Sequence, residues 1–138
     1  MGKKDVLMLE ILMENARLKK TELAKLLNVT EAAVRKRLKK LEGSGIIVGY
    51  RAIVDYQRAG LMASITGVDT EPERLWSVVE ELKGFEEIKE ICLTSGDHMI
   101  MTEIVAKGVE ELMEAHKRIE GIKGVKRVCP AIVLRRIK

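Results

Sequence analysis

Thr21-Glu22-Leu23-Ala24-Lys25-Leu26-Leu27-Asn28-Val29-Thr30-Glu31-Ala32-Ala33-Val34-Arg35-Lys36-Arg37-Leu38-Lys39-Lys40-Leu41 holds two candidate helix starts, Thr21 and Thr30. A threonine hydroxyl at either place can accept a hydrogen bond from an otherwise orphaned N–H of the first turn. Leu23, Leu26 and Leu27 recur at helical spacing, which predicts a helix over residues 22–28. Only Asn28 and Val29 separate it from the cap at Thr30. So short a connection between capped helices forces them to cross sharply, as in a helix-turn-helix, and the small Ala24 lets them approach closely.

On the following helix, at ~100° per residue, setting Val34 at zero puts Leu38 at about 40° and Leu41 at about 340°. These three form a buried stripe. Arg35, Lys39, Ala32 and Lys36 then span about 100° to 200°, with Lys40 at about 240°. The outward face is small at its N-terminal end and basic along its length, as a helix lying in a major groove requires: short residues approach base edges, and Arg or Lys meets guanine or phosphate. Thr30, Glu31, Ala32, Arg35, Lys36, Lys39 and Lys40 are the candidate DNA-contacting residues. The alternative is a basic face that is simply solvated.

Upstream, Asp5 is a candidate N-cap for a first helix. The run Val6, Leu7, Met8, Leu9, Ile11, Leu12, Met13 is apolar on nearly all faces, so burial on more than one side is expected. Downstream, Gly43-Ser44-Gly45 ends the third helix and residues 46–54 read as a strand, which beside a helix-turn-helix makes a wing. From there Arg51, and further on Arg58, would reach the DNA backbone. Residues 1–54 thus form one expected module, with a linker at 55–60.

Residues 61–138 change pattern to strand, helix, strand, strand, helix, strand. Strands are expected at 62–69, 88–94, 99–105 and 125–136. A helix opens at Glu71-Pro72-Glu73 with Leu75, Val78, Val79 and Leu82 on one face, and another carries Val109, Leu112, Met113, His116 and Ile119. The βαββαβ order gives a ferredoxin-like, ACT-like sandwich with both helices on one sheet face, and the fold class of the whole chain is α+β. Pro130 suits an edge strand. Both alternating sets of strand residues contain apolar side chains, Ile65 and Ala63 against Met62 and Val68, so a second subunit is expected on the uncovered face.

The 138 residues carry 25 Lys and Arg against 21 Asp and Glu, but the excess is not spread evenly. Residues 1–50 hold 11 basic and 6 acidic side chains, a net +5, whereas Ala59 to Gly124 holds 7 and 14, a net −7. A basic front attracts a polyanion; an acidic body is repelled by one and points to protein or small-molecule partners. No apolar run approaches the ~18 residues of a membrane span, and the N-terminus lacks a signal-peptide pattern, so a cytoplasmic protein is expected. Two cysteines without a CxxC spacing suit a reducing compartment. One Gln and two Asn in a chain rich in Lys, Arg and Glu match the bias of heat-adapted proteins.

The chain resembles the Lrp/AsnC, or feast/famine, transcriptional regulators. The signals are Glu22-Leu23-Ala24, the span Val34-Arg35-Lys36-Arg37-Leu38-Lys39-Lys40-Leu41-Glu42, Gly45-Ile46-Ile47, Val54-Asp55, Gly60 and Thr94-Ser95-Gly96-Asp97. The resemblance implies a winged helix-turn-helix joined to an amino-acid-sensing domain, assembled into dimers and, in larger forms, tetramers or octamers on double-stranded DNA. It also implies an effector site near Gly96, Asp97, His98 and Met99. In the family an aromatic residue and a second aspartate commonly follow the Gly-Asp turn; here His98 and Met99 stand there, and Val128 and Pro130 replace frequent threonines. Those departures favour apolar amino acids over polar ones.

Three other functions compete. An architectural protein that coats DNA needs only the basic front. Some siroheme decarboxylases resemble the same two-module architecture, yet the chain has just His98 and His116 and no acid/base cluster on one turn, so no catalytic residue and no cofactor are expected. A metal sensor would have to use Cys92, His98, His116 and Cys129, whose gaps match no compact zinc pattern. His116 lies on an apolar helix stripe and reads as a packed core residue.

Overall fold

The computed structural model describes residues Met1 to Lys138. The chain divides into two compact units, Met1–Ala52 and Ile53–Lys138. The first contains α1 (Lys3–Glu14), α2 (Lys20–Leu27) and α3 (Glu31–Gly43). Met8, Leu23, Ala24, Leu27, Val34 and Leu41 form its core, with Leu12, Leu38 and Ile47 packed against them. α2 and α3 are joined by Asn28, in the left-handed region at φ 55°, whose N–H returns to the Lys25 carbonyl. Asparagine tolerates that conformation, and the chain turns sharply there.

Several expectations for this unit need correction. Asp5 is not the N-cap: Gly2 is, and Asp5 sits a turn inside α1, where its carboxylate accepts the Gly2 N–H at 3.3 Å and the Arg37 guanidinium at 2.8 Å. Thr21 does not cap α2, which begins at Lys20 after Lys19 with no side-chain cap. α1 is buried along one stripe only; Met8 is fully covered, while Val6, Leu7 and Met13 are exposed. Residues 46–54 form no strand. The Ile47 N–H is bonded to the Leu41 carbonyl and the Tyr50 hydroxyl to Glu42 at 3.1 Å, which holds this segment along the end of α3. A strand needs a ladder partner, and the rest of this unit is helical.

The second unit starts at residue 53, so the whole of the expected linker, residues 55–60, belongs to it. Asp55 accepts the Arg58 N–H at 3.1 Å and so caps α4 (Tyr56–Ala59). Tyr56 is buried, its hydroxyl 2.9 Å from Glu103 and the Arg136 guanidinium over its ring. Then follow β1 (Met62–Thr70), a 3-10 turn at Pro72–Arg74, α5 (Leu75–Lys83), β2 (Ile88–Leu93), β3 (Ile100–Ala106), α6 (Val109–Glu120) and β4 (Val125–Ile132). The antiparallel sheet has the order β2-β3-β1-β4, which places Pro130 on an edge strand, opposite Thr66.

α5 and α6 cover one face. Val78, Val79, Leu82, Leu112, Ala115 and Ile119 meet Val68, Ile100, Ile104 and Ala106 there. Gly124, at φ 97°, lets the chain re-enter the sheet: a Cβ on it would lie 2.4 Å from the Arg74 Cβ. β4 stops at Ile132, short of the expected residue 136; its last ladder pair is with Ser64, and the Val133 N–H bonds the Ala63 carbonyl just beyond, near the start of β1.

Candidate nucleic-acid interface and effector region

The Thr30 hydroxyl accepts the Ala33 N–H at 3.1 Å and fixes the start of α3. The helix presents the sides its periodicity predicts: Val34 and Leu41 are buried, whereas Ala32, Arg35, Lys36, Lys39 and Lys40 are exposed. Glu31 is half-buried and pairs with Arg35 one turn on, which aligns the guanidinium along the exposed face. Arg37 alone among the basic residues of α3 turns inward, to Asp5. Arg51 is exposed, but on an irregular segment rather than a wing strand.

A groove of about 360 Å³ runs beside this face, floored by Leu12, Leu18, Leu23 and Leu38 and rimmed by Lys20, Arg35 and Lys39. Lys20 lies outside the face that the periodicity of α3 singles out. With Arg17 and Lys19 it makes the entry to α2 basic, and the cluster Arg17-Leu18-Lys19-Lys20 is the signal for it in the sequence. The first N–H groups of α2 also leave partial positive charge at this end, so the turn and α3 share one sign of potential.

In the second unit, Gly96 and Asp97 are exposed on the β2–β3 turn, and His98 and Met99 are half-buried at its return. The residue that organises this turn is Asp69, on β1. Its carboxylate accepts from His98 Nδ1 at 3.0 Å, the Met99 N–H at 3.0 Å and Arg127 Nε at 3.1 Å. Desolvation pushes the Asp69 carboxyl up, but His98, Met99 and Arg127 outweigh it and hold it below the ordinary carboxylate value. The His98 ring lies over Gly67, where a Cβ would come within 2.4 Å of it. Of the expected apolar lining, Met99 and Val128 pack against the helix-side core instead, and only Pro130 is exposed. The alternation of β4 accounts for this: Val128 pairs with Val68, an inward residue.

Residues 1–48 match the family model described as winged helix-turn-helix DNA-binding, and residues 63–138 match the Lrp/AsnC ligand binding domain. The chain belongs to the Lrp/AsnC family. It is 49% identical to the HTH-type transcriptional regulator LrpA of Pyrococcus abyssi, over 98% of this chain and 97% of that protein. With the LrpA of Pyrococcus horikoshii the identity is 48% over the same shares. The crystal structure of PH0061 superposes with a TM-score of 0.86 at 26% identity, covering 100% of this chain and 95% of that one.

As an Lrp/AsnC member the protein is a DNA-binding transcriptional regulator, with a helix-turn-helix in its first unit and the family's ligand-binding domain in its second. No helix is long and apolar enough to cross a membrane. His116 is a buried core residue, as its stripe position implies: Nδ1 donates to the Leu112 carbonyl at 2.8 Å, and Nε2 is 2.8 Å from Thr66 Oγ1 and 3.2 Å from Ser64 Oγ. Cys92 and Cys129 lie on β2 and β4, the two edges of the sheet.

Proposed function

We propose that this Lrp/AsnC protein is a sequence-specific regulator that binds double-stranded DNA in the cytoplasm as a homodimer, laying the exposed face of α3 in the major groove. The carrying observation is that Ala32, Arg35, Lys36, Lys39 and Lys40 are all exposed on one capped helix while its leucines and valine face the core. Ala32, Arg35 and Lys36 approach base edges at the N-terminal half; Thr30 and Glu31 fix the start of the helix and the Arg35 guanidinium; Lys39, Lys40 and Arg51 meet phosphates. Its work is binding, with no catalytic step. Footprinting in the presence of excess random-sequence DNA tests this: discrete protected sites are expected, whereas uniform protection that the competitor removes would mean a DNA-coating protein.

The second unit takes a small amino-acid effector at the β2–β3 turn. Asp69 is already engaged by three donors, so the exposed Asp97 carboxylate is the group that meets the ligand ammonium, with Gly96 and His98 beside it. Apolar ligands, branched or methionine, are favoured over lysine, asparagine and glutamine, because the turn offers little else to compensate a second charge. Calorimetry across the twenty amino acids tests this; tight binding of a polar one, abolished by Asp97→Ala, would contradict it.

A further inference from the structure

We infer that Asp5 is a specificity-determining residue that acts through Arg37: the pair braces α1 against the recognition helix and withholds one cation from the DNA backbone. This rests on α3 being the DNA-reading helix. Five basic residues follow one another closely on α3, Arg35, Lys36, Arg37, Lys39 and Lys40, and four of them are exposed. Arg37 falls at about 300° on the helical wheel that puts Val34 at zero, between the buried stripe and Lys40 at about 240°. Nothing in its position on the helix obliges it to turn inward. What turns it is Asp5, 7% exposed and a turn inside α1, whose Oδ1 accepts from Arg37 Nη1 at 2.8 Å.

The carboxylate is itself fixed, since its other oxygen accepts the Gly2 N–H at 3.3 Å. Both ends of the bridge are therefore anchored on elements that share one core: Met8 lies one turn beyond Asp5, and Val34 and Leu41 flank Arg37. An ion pair at the edge of the apolar stripe resists rotation of that helix about its own axis. For a recognition helix that rotation decides which side chains point at base edges. The same bond keeps a long cationic side chain from reaching beside Lys40 toward any phosphate, a contact that adds affinity without sequence information.

Removing the carboxylate while keeping its shape separates these effects from simple stability. In Asp5→Asn the brace is lost and Arg37 is released. Binding to a random-sequence 30-base-pair duplex should strengthen, and the slope of log K against log salt should steepen by about 0.9, one additional phosphate contact. The preference for duplexes enriched from a random pool by the wild-type protein should fall several-fold. Arg37→Gln should lower thermal stability without changing the salt slope, and Asp5→Glu, which keeps the carboxylate, should retain most of the wild-type discrimination. The double variant Asp5→Asn/Arg37→Gln should lose the steepened slope. A slope and a specificity ratio unchanged in Asp5→Asn, with only the melting temperature lowered, would overturn the inference and leave the pair a structural tie. Failure of the wild-type protein to bind either duplex would instead overturn the reading of α3.

Discussion

At the scale of single residues, Asp69 gives the clearest link between geometry and a measurable quantity. Its carboxylate accepts from His98, Met99 and Arg127, and its folded pKa is held below the ordinary value. An unfolded aspartate titrates near ~3.9. A depressed folded value therefore contributes stability that is complete above that region and is lost as pH falls through the folded pKa. Asp5 has the same sign, with Arg37 as the main cause. Thermal melts of Asp69→Asn should show a lower melting temperature at neutral pH and a shallower loss below about pH 4 than the wild type. Parallel acid limbs would contradict this. Gly67 is tested through the same corner. A Cβ there meets the His98 ring at 2.4 Å, so Gly67→Ala should cost ~1–3 kcal/mol in urea unfolding. His98→Ala made in the same chain should recover part of that loss; equal losses in single and double variants would mean that the ring is not what the methyl meets.

At the scale of elements, two threonines that look alike in sequence have different roles. Thr30 bonds the Ala33 N–H, whereas Thr21 lies within α2, which starts at Lys20. Thr30→Ala should cost about 1 kcal/mol and Thr21→Ala less than ~0.5 kcal/mol, read from urea midpoints. The reverse order would show that α2 is capped as the sequence suggests. This contrast marks how much was legible. The buried stripe of α3, the order βαββαβ, the edge place of Pro130 and the inward His116 all follow from spacing along one stretch of chain, which periodicity records. What escaped depended on partners far away in sequence. Asp5 reads as a cap until Arg37, from another helix, is found beside it. Asp69 carries no local motif, because His98 comes to it from the β2–β3 turn and Arg127 from β4. Residues 46–54 have strand-like composition, but a strand is made by its neighbour.

At the scale of the whole molecule, charge and exposed apolar surface define the assembly. The front of the chain is basic and the stretch from Ala59 to Gly124 acidic, so DNA attraction is confined to the first unit. The sheet face away from α5 and α6 carries Ile65, 49% exposed, beside the half-buried Met101. Light scattering at micromolar concentration should therefore give a dimer or larger particle, and an Ile65→Lys change should shift it toward monomer. A monomeric wild type would remove the basis for paired recognition helices.

We propose above all that the exposed face of α3 reads DNA. Salt-dependent affinities of Arg35→Ala, Lys36→Ala, Lys39→Ala and Lys40→Ala, on enriched and random duplexes, test it most directly. The arginine and lysine of the N-terminal half should each cost ~1–3 kcal/mol on the enriched duplex and alter its sequence preference. The Lys39 and Lys40 variants should weaken both duplexes about equally and reduce the salt slope by about 0.9 each. Unchanged affinity in all four variants would mean that this face does not bind DNA.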